Sequence, residues 1–76
     1  MISIEELKKR ARTDTITGLK GEALPGTTEQ LSDGVIVAQY HPEADAYTFI
    51  LNGHPVTEDW LRHFLDDLRK WTGPIV

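Results

Sequence analysis

There is no cysteine in this chain, so neither a disulfide framework nor a thiolate metal site can staple it. The lack matters because the chain has only 76 residues, and a domain of that size buries only about 60% of the surface its unfolded form exposes. Cohesion must come from helix–sheet packing or from self-association. Long apolar runs are missing as well. No stretch approaches the roughly 18 residues of a membrane-spanning helix. The opening Met1-Ile2-Ser3-Ile4-Glu5-Glu6 is acidic where a secretion signal is basic and then apolar. The expectation is a soluble, unprocessed cytoplasmic protein with no membrane partner.

Basic charge is also scarce: 8 Lys and Arg stand against 12 Asp and Glu, for a formal net charge of −4. Lys8, Lys9, Arg10 and Arg12 form the one basic cluster, while Glu43, Asp45, Glu58, Asp59, Asp66 and Asp67 are spread over the second half. Nucleic-acid binders draw most of their affinity from Lys and Arg that neutralise phosphates. Nucleic acid is therefore a disfavoured partner, and a protein with a basic surface is favoured.

The chemistry-bearing patterns are absent too. There is no phosphate-loop or dinucleotide fingerprint. Ser3 reads as a helix cap and Ser32 as part of the turn Ser32-Asp33-Gly34, so neither has a nucleophile's context. Asp66 and Asp67 are adjacent on a helix and point about 100° apart, which excludes a carboxylate dyad. Of the three histidines, His41 and His54 sit at opposite ends of an expected strand pair, near 20 Å apart at ~3.3 Å per residue, and His63 falls on the polar face of a helix. They cannot share one ion. The reading is no enzyme, no metal and no cofactor; the enzymatic alternative is a small metal-dependent one using His41 or His54 with Glu43 and Asp45.

What is present is architectural. Ser3 followed by Glu6 forms a capping box with Ile2 and Leu7 as a hydrophobic staple, and Ile4, Leu7 and Ala11 give the ensuing helix a narrow apolar stripe. Glu5–Lys9 and Glu6–Arg10 are spaced for pairs along it. The second half is stronger. Val35 to Tyr40 alternates, Ala46 to Leu51 mirrors it, and a four-residue loop over Pro42-Glu43-Ala44-Asp45 sets Tyr40 opposite Tyr47, Ala38 opposite Phe49 and Ile36 opposite Leu51. One side of this hairpin is the core, and the other carries Val35, Val37, Gln39, Thr48 and Ile50. Asn52-Gly53 stops the second strand. Thr57 caps a helix to Trp71, with Val56 and Leu61 as its staple and Glu58–Arg62 and Asp66–Lys70 as exposed pairs; Trp60, Leu61, Phe64, Leu65, Leu68 and Trp71 form its stripe.

Residues 13–34 are the least patterned, a loop-rich connection that holds either a short strand near Thr15 to Leu19 or a flexible functional segment. Thr27 to Leu31 has the composition of a single helical turn. Gly18-Leu19-Lys20-Gly21 matches the GXXG loop with which KH domains clamp four nucleotides, although the helices that should flank it are interrupted by Thr13-Asp14-Thr15 and Pro25-Gly26. Turn formation is the simpler reading, and a KH-like binder of RNA or single-stranded nucleic acid is the alternative.

Residues 1–76 thus read as one α+β domain: an N-terminal helix, an antiparallel β-hairpin with room for a third short strand, and a C-terminal amphipathic helix packed on the sheet. Its Trp60/Phe64/Leu68 stripe is expected against Tyr40, Tyr47 and Phe49. The function expected is a small acidic protein-binding module, an inhibitor or adaptor of the phage or accessory-gene kind. Its partner surface is drawn from Val37, Ile50, Glu43, Asp45, Asp66, Asp67 and Trp71, and edge-to-edge or face-to-face homodimerisation is the other route to burying the outer sheet face.

Overall fold

The computed structural model describes residues 2–70, with the side chains of residues 69 and 70 excepted. Helix α1 (Ile4–Thr13) starts where its cap places it: Ser3 Oγ accepts the Glu6 backbone N–H at 3.1 Å. Ile4, Leu7 and Ala11 are buried along its inner stripe. Five strands follow, β1 (Thr15–Thr17), β2 (Ala23–Leu31), β3 (Gly34–His41), β4 (Ala46–Leu51) and β5 (His54–Val56), and then helix α2 (Glu58–Lys70). The strands form one antiparallel sheet in chain order, each paired with its sequence neighbour.

The central hairpin has the expected register, with Ile36 opposite Leu51, Val37 opposite Ile50, Ala38 opposite Phe49 and Tyr40 opposite Tyr47. Because side chains alternate across a strand, this pairing puts Ile36, Ala38 and Phe49 on one side together. All three are buried, in a cluster with Ile2, Ile4, Leu7, Ala11, Leu61 and Leu65. Both helices therefore cover the same face of the sheet. Burying each such Leu, Ile or Phe stabilises the fold by about 1.5–3 kcal/mol.

The sheet is larger than the sequence pattern suggests, because two segments read otherwise are strands. Thr27 to Leu31 is not a helical turn but the second half of β2, paired with Gly34 to Ala38. Its alternation is carried by polar residues. Thr27 is buried and donates its hydroxyl to Asp14 Oδ2 at 3.0 Å, and Glu29 receives Arg10 at 2.9 Å. Asn52-Gly53 does not end the sheet either. With φ of 52° and 84° it makes a two-residue hairpin turn, which returns the chain as β5 alongside β4.

Helix α2 begins at the expected cap, Thr57 Oγ1 accepting the Trp60 N–H at 3.0 Å, but it is rotated from the expected stripe. Leu61 and Leu65 fill the core, and Trp60 is 50% exposed with its ring stacked on Phe64 at 5.3 Å. The apolar arc of α2 is wider than the sheet can cover, and α1 decides which part faces inward. Lys8 pairs with Glu58 at 3.2 Å, Glu58 with Arg62 at 3.0 Å, and Arg62 with Glu5. These contacts run in opposite directions along the two helices, so α1 and α2 are antiparallel. Glu5 and Arg10 thus take partners on α2 and β2, in place of the pairs expected along α1 itself. Trp71 and the Asp66–Lys70 pair lie outside the described residues or their side chains.

Truncating Leu61 and Trp60 distinguishes the observed rotation from the expected one. Leu61→Ala is expected to destabilise by about 2–5 kcal/mol, and Trp60→Ala by about 1 kcal/mol or less, as measured by urea denaturation. The reverse order would place Trp60 in the core.

Candidate protein-binding groove

On the side away from the helices, alternation leaves Val37 and Ile50 opposite each other, both half-buried, with Thr28 and Pro55 as their partners on the flanking strands. Ile16 and Leu24 are paired on the β1–β2 hairpin. That hairpin leans over the outer face because β2 carries Gly26 there: a Cβ at Gly26 would stand 2.8 Å from both Ile16 Cδ1 and the Ala38 carbonyl oxygen. The absent side chain is the space Ile16 occupies.

Between the leaning hairpin and the sheet lies a trough of about 540 Å³, with Ile16, Leu24, Val37 and Ile50 as its apolar lining and Gln39, Lys20 and Glu22 among its polar residues. Leu19, at the hairpin tip and itself part of the trough's lining, is fully exposed. The tip is braced by Glu22, whose Oε1 accepts the Lys20 backbone N–H at 2.9 Å and whose carboxyl group folds against Gly18. Gly21 supplies the positive φ of 81° that the turn requires.

The residues nominated from the sequence fall on separate parts of the molecule. Val37 and Ile50 are in the trough. Glu43 and Asp45 are exposed in the turn joining β3 to β4. Asp66 and Asp67 are exposed on α2, across the sheet from the trough, so one flat partner surface cannot meet both groups. Trp71 is outside the described residues. Ile16, Leu19, Glu22 and Leu24 are not among the residues nominated from the sequence, and Lys20 enters there only with the nucleic-acid alternative; the short strand expected near Thr15 to Leu19 is β1, and its Ile16/Leu24 pairing becomes recognisable once Gly18 to Gly21 is taken as a hairpin turn. That same segment lies between two strands rather than two helices, so the helix–loop–helix frame of a KH domain is not present around it.

Three members of the basic cluster of α1, Lys8, Arg10 and Arg12, are engaged within the molecule, and Lys9 is exposed. Lys8 lies 5.1 Å from the Tyr47 ring centroid, Arg12 lies 5.9 Å from the centroids of both Tyr40 and Tyr47, and Arg12 Nε donates to the Tyr47 hydroxyl. Glu5, Lys8, Lys9 and Arg12 border a shallow hollow of about 240 Å³. Tyr40 donates its hydroxyl to Asp45 Oδ1 at 2.9 Å, and this bond raises the phenol pKa above its ordinary value. His41 Nε2 is 2.8 Å from Thr48 Oγ1, His54 is exposed on β5, and His63 Nδ1 is 3.0 Å from the Asp59 carbonyl oxygen. Among the described residues, no three His, Asp or Glu side chains gather where a metal ion would bind, and no helix is long and apolar enough to cross a membrane.

No family model, curated protein or solved structure matches the chain.

The Tyr40–Asp45 bond has a definite pH signature. Its folded-state pKa is raised, so its contribution to stability is present below the ordinary tyrosine value and is lost as pH rises through the raised one. Titrating the ring by NMR should place Tyr40 above an unperturbed tyrosine, and Asp45→Asn should bring it down. A Tyr40 midpoint unmoved by that substitution would show that Asp45 is not its acceptor.

Proposed function

We propose that this chain is a protein-binding module, of the inhibitor or adaptor kind, that engages its partner across the outer face of its sheet. The observation that carries the reading is the trough: an apolar floor of Val37 and Ile50 left open on the side that neither helix covers. Contiguous exposed apolar surface on a small acidic protein marks an interaction site. Small-molecule pockets place a few converging polar groups to orient their ligand. Here the polar side chains of Lys20 and Glu22 lie on the hairpin tip, and on the floor Gln39 stands beside the apolar Val37 and Ile50.

A binding role also accords with where the charges are. Lys8, Arg10 and Arg62 are paired with Glu58, Glu29 and Glu5 across elements of the fold, which is structural employment. Glu43 is exposed in the turn that joins the two strands carrying Val37 and Ile50, and Asp45 in the same turn accepts the Tyr40 hydroxyl. A partner presenting an apolar side chain with basic residues around it is the complement of that surface.

Affinity capture with a tagged chain tests the assignment. Wild-type protein is expected to retain a stoichiometric partner that Ile50→Lys loses, that Glu43→Lys with Asp45→Lys weakens about tenfold, and that Asp66→Lys with Asp67→Lys leaves unchanged. Retention by Ile50→Lys together with loss on the Asp66/Asp67 reversal would move the site to α2 and overturn the reading.

A further inference from the structure

We infer that a second copy of this chain occupies the trough, the two copies meeting outer face to outer face about a two-fold axis. The inference rests on the reading above and names the partner for the same surface.

The first argument is shape. Leu19 is an apolar knob fully exposed at the tip of the hairpin that forms one wall of the trough. The knob therefore stands on the rim of the socket that it helps to line. Under two-fold symmetry a single patch is its own complement, so each copy's Leu19 enters the other's trough and both are buried by the same contact.

The second is charge. The tip carries one residue of each sign. The Glu22 carboxylate is held in place by the Lys20 backbone N–H and by packing on Gly18, while the Lys20 ammonium has no partner among the described residues. Turning one copy over sets Lys20 of each against Glu22 of the other. The contact is neutral and self-complementary even though the whole chain carries a formal −4. The carboxylates of Asp66 and Asp67 lie across the sheet, and a Debye length of about 8 Å screens charges at that remove.

The third is area and the state of the edges. Five strands about 4.8 Å apart, each about six residues long, make a face about 20 Å on a side. Two such faces with their hairpin tips bury on the order of 1,000 Å², the lower end of a specific interface. That predicts a reversible dimer and not an obligate one. Strand addition at an edge is the poorer route, because β1 and β5 are three residues each and Pro55 occupies the middle of β5.

Sedimentation equilibrium on the full chain, from about 5 μM to about 1 mM, brackets the association expected of an interface this size. Wild-type mass should climb from monomer toward dimer, and Leu19→Asp, at a position with no packing to lose, should weaken association at least about tenfold. Lys20→Glu, which leaves the Glu22 carboxylate in place to brace the tip, should weaken it by a similar factor. Circular dichroism of each variant checks that the fold is retained. A wild-type chain that stays monomeric throughout, or a dimer indifferent to Leu19→Asp or to Lys20→Glu, would overturn the inference. If the monomeric chain nevertheless captures a different protein in an Ile50-dependent manner, the self-association fails and the binding role of the groove stands.

Discussion

The strict alternation of side chains along β3 and β4 is the constraint on which the molecule depends. Because Ile36, Ala38 and Phe49 share one side of the paired strands, a single register commits all three to the core, where Leu7 of α1 and Leu61 and Leu65 of α2 close over them. The same alternation sends Val37 and Ile50 to the opposite side. A slip of one residue would exchange the two sets. The trough is thus a direct consequence of the core: both helices are committed to one face, and the apolar residues of the other face are left to the β1–β2 hairpin.

The helices are aligned on that core by charge pairs of modest individual worth. Partly exposed ion pairs contribute about 0–1 kcal/mol each, so Lys8–Glu58, Arg62–Glu58, Arg62–Glu5 and Arg10–Glu29 are poor candidates for the source of stability. They accompany the rotation of α2 in which Leu61 and Leu65 are buried and Trp60 is exposed. A tighter junction lies at the end of α1, where Asp14 caps the helix. Its carboxylate accepts from buried Thr27 and its carbonyl from the Gly26 N–H. This ties the helix end to the middle of β2, at the residue over which Ile16 lies, and so couples the helical layer to the position of the hairpin that walls the trough.

The arrangement also restricts how the protein can present itself to others. Three-residue edge strands, one of them centred on proline, offer little backbone to an incoming strand. Lys8, Arg10 and Arg12 of α1 are engaged by Tyr40, Tyr47, Glu29 and Glu58. Among the described residues the outer face with exposed Leu19, the Trp60 ring and the acidic side chains of Glu43, Asp66 and Asp67 are open to solvent.

The amino-acid sequence by itself determined the caps of both helices, the register of the central hairpin and the split between its inner and outer faces, because each is written in local spacing: Ser3 with Glu6, Thr57 with the run after it, and two apolar runs of period two about a four-residue turn. The outer-face members of the site, Val37 and Ile50, were legible for the same reason. The rest of the groove was not. In β2 the alternation is carried by threonine and by a glutamate whose partner is 19 residues away, which local pattern cannot distinguish from loop. Asn52-Gly53 did carry a hairpin signal, but the return strand His54-Pro55-Val56 is too short to declare itself. The choice of Leu61 over Trp60, and the folding of Ile16 across Gly26 to enclose the trough, were decided only in the tertiary structure. Each depends on a surface supplied by a distant segment, and no residue's own neighbours in sequence contain that information.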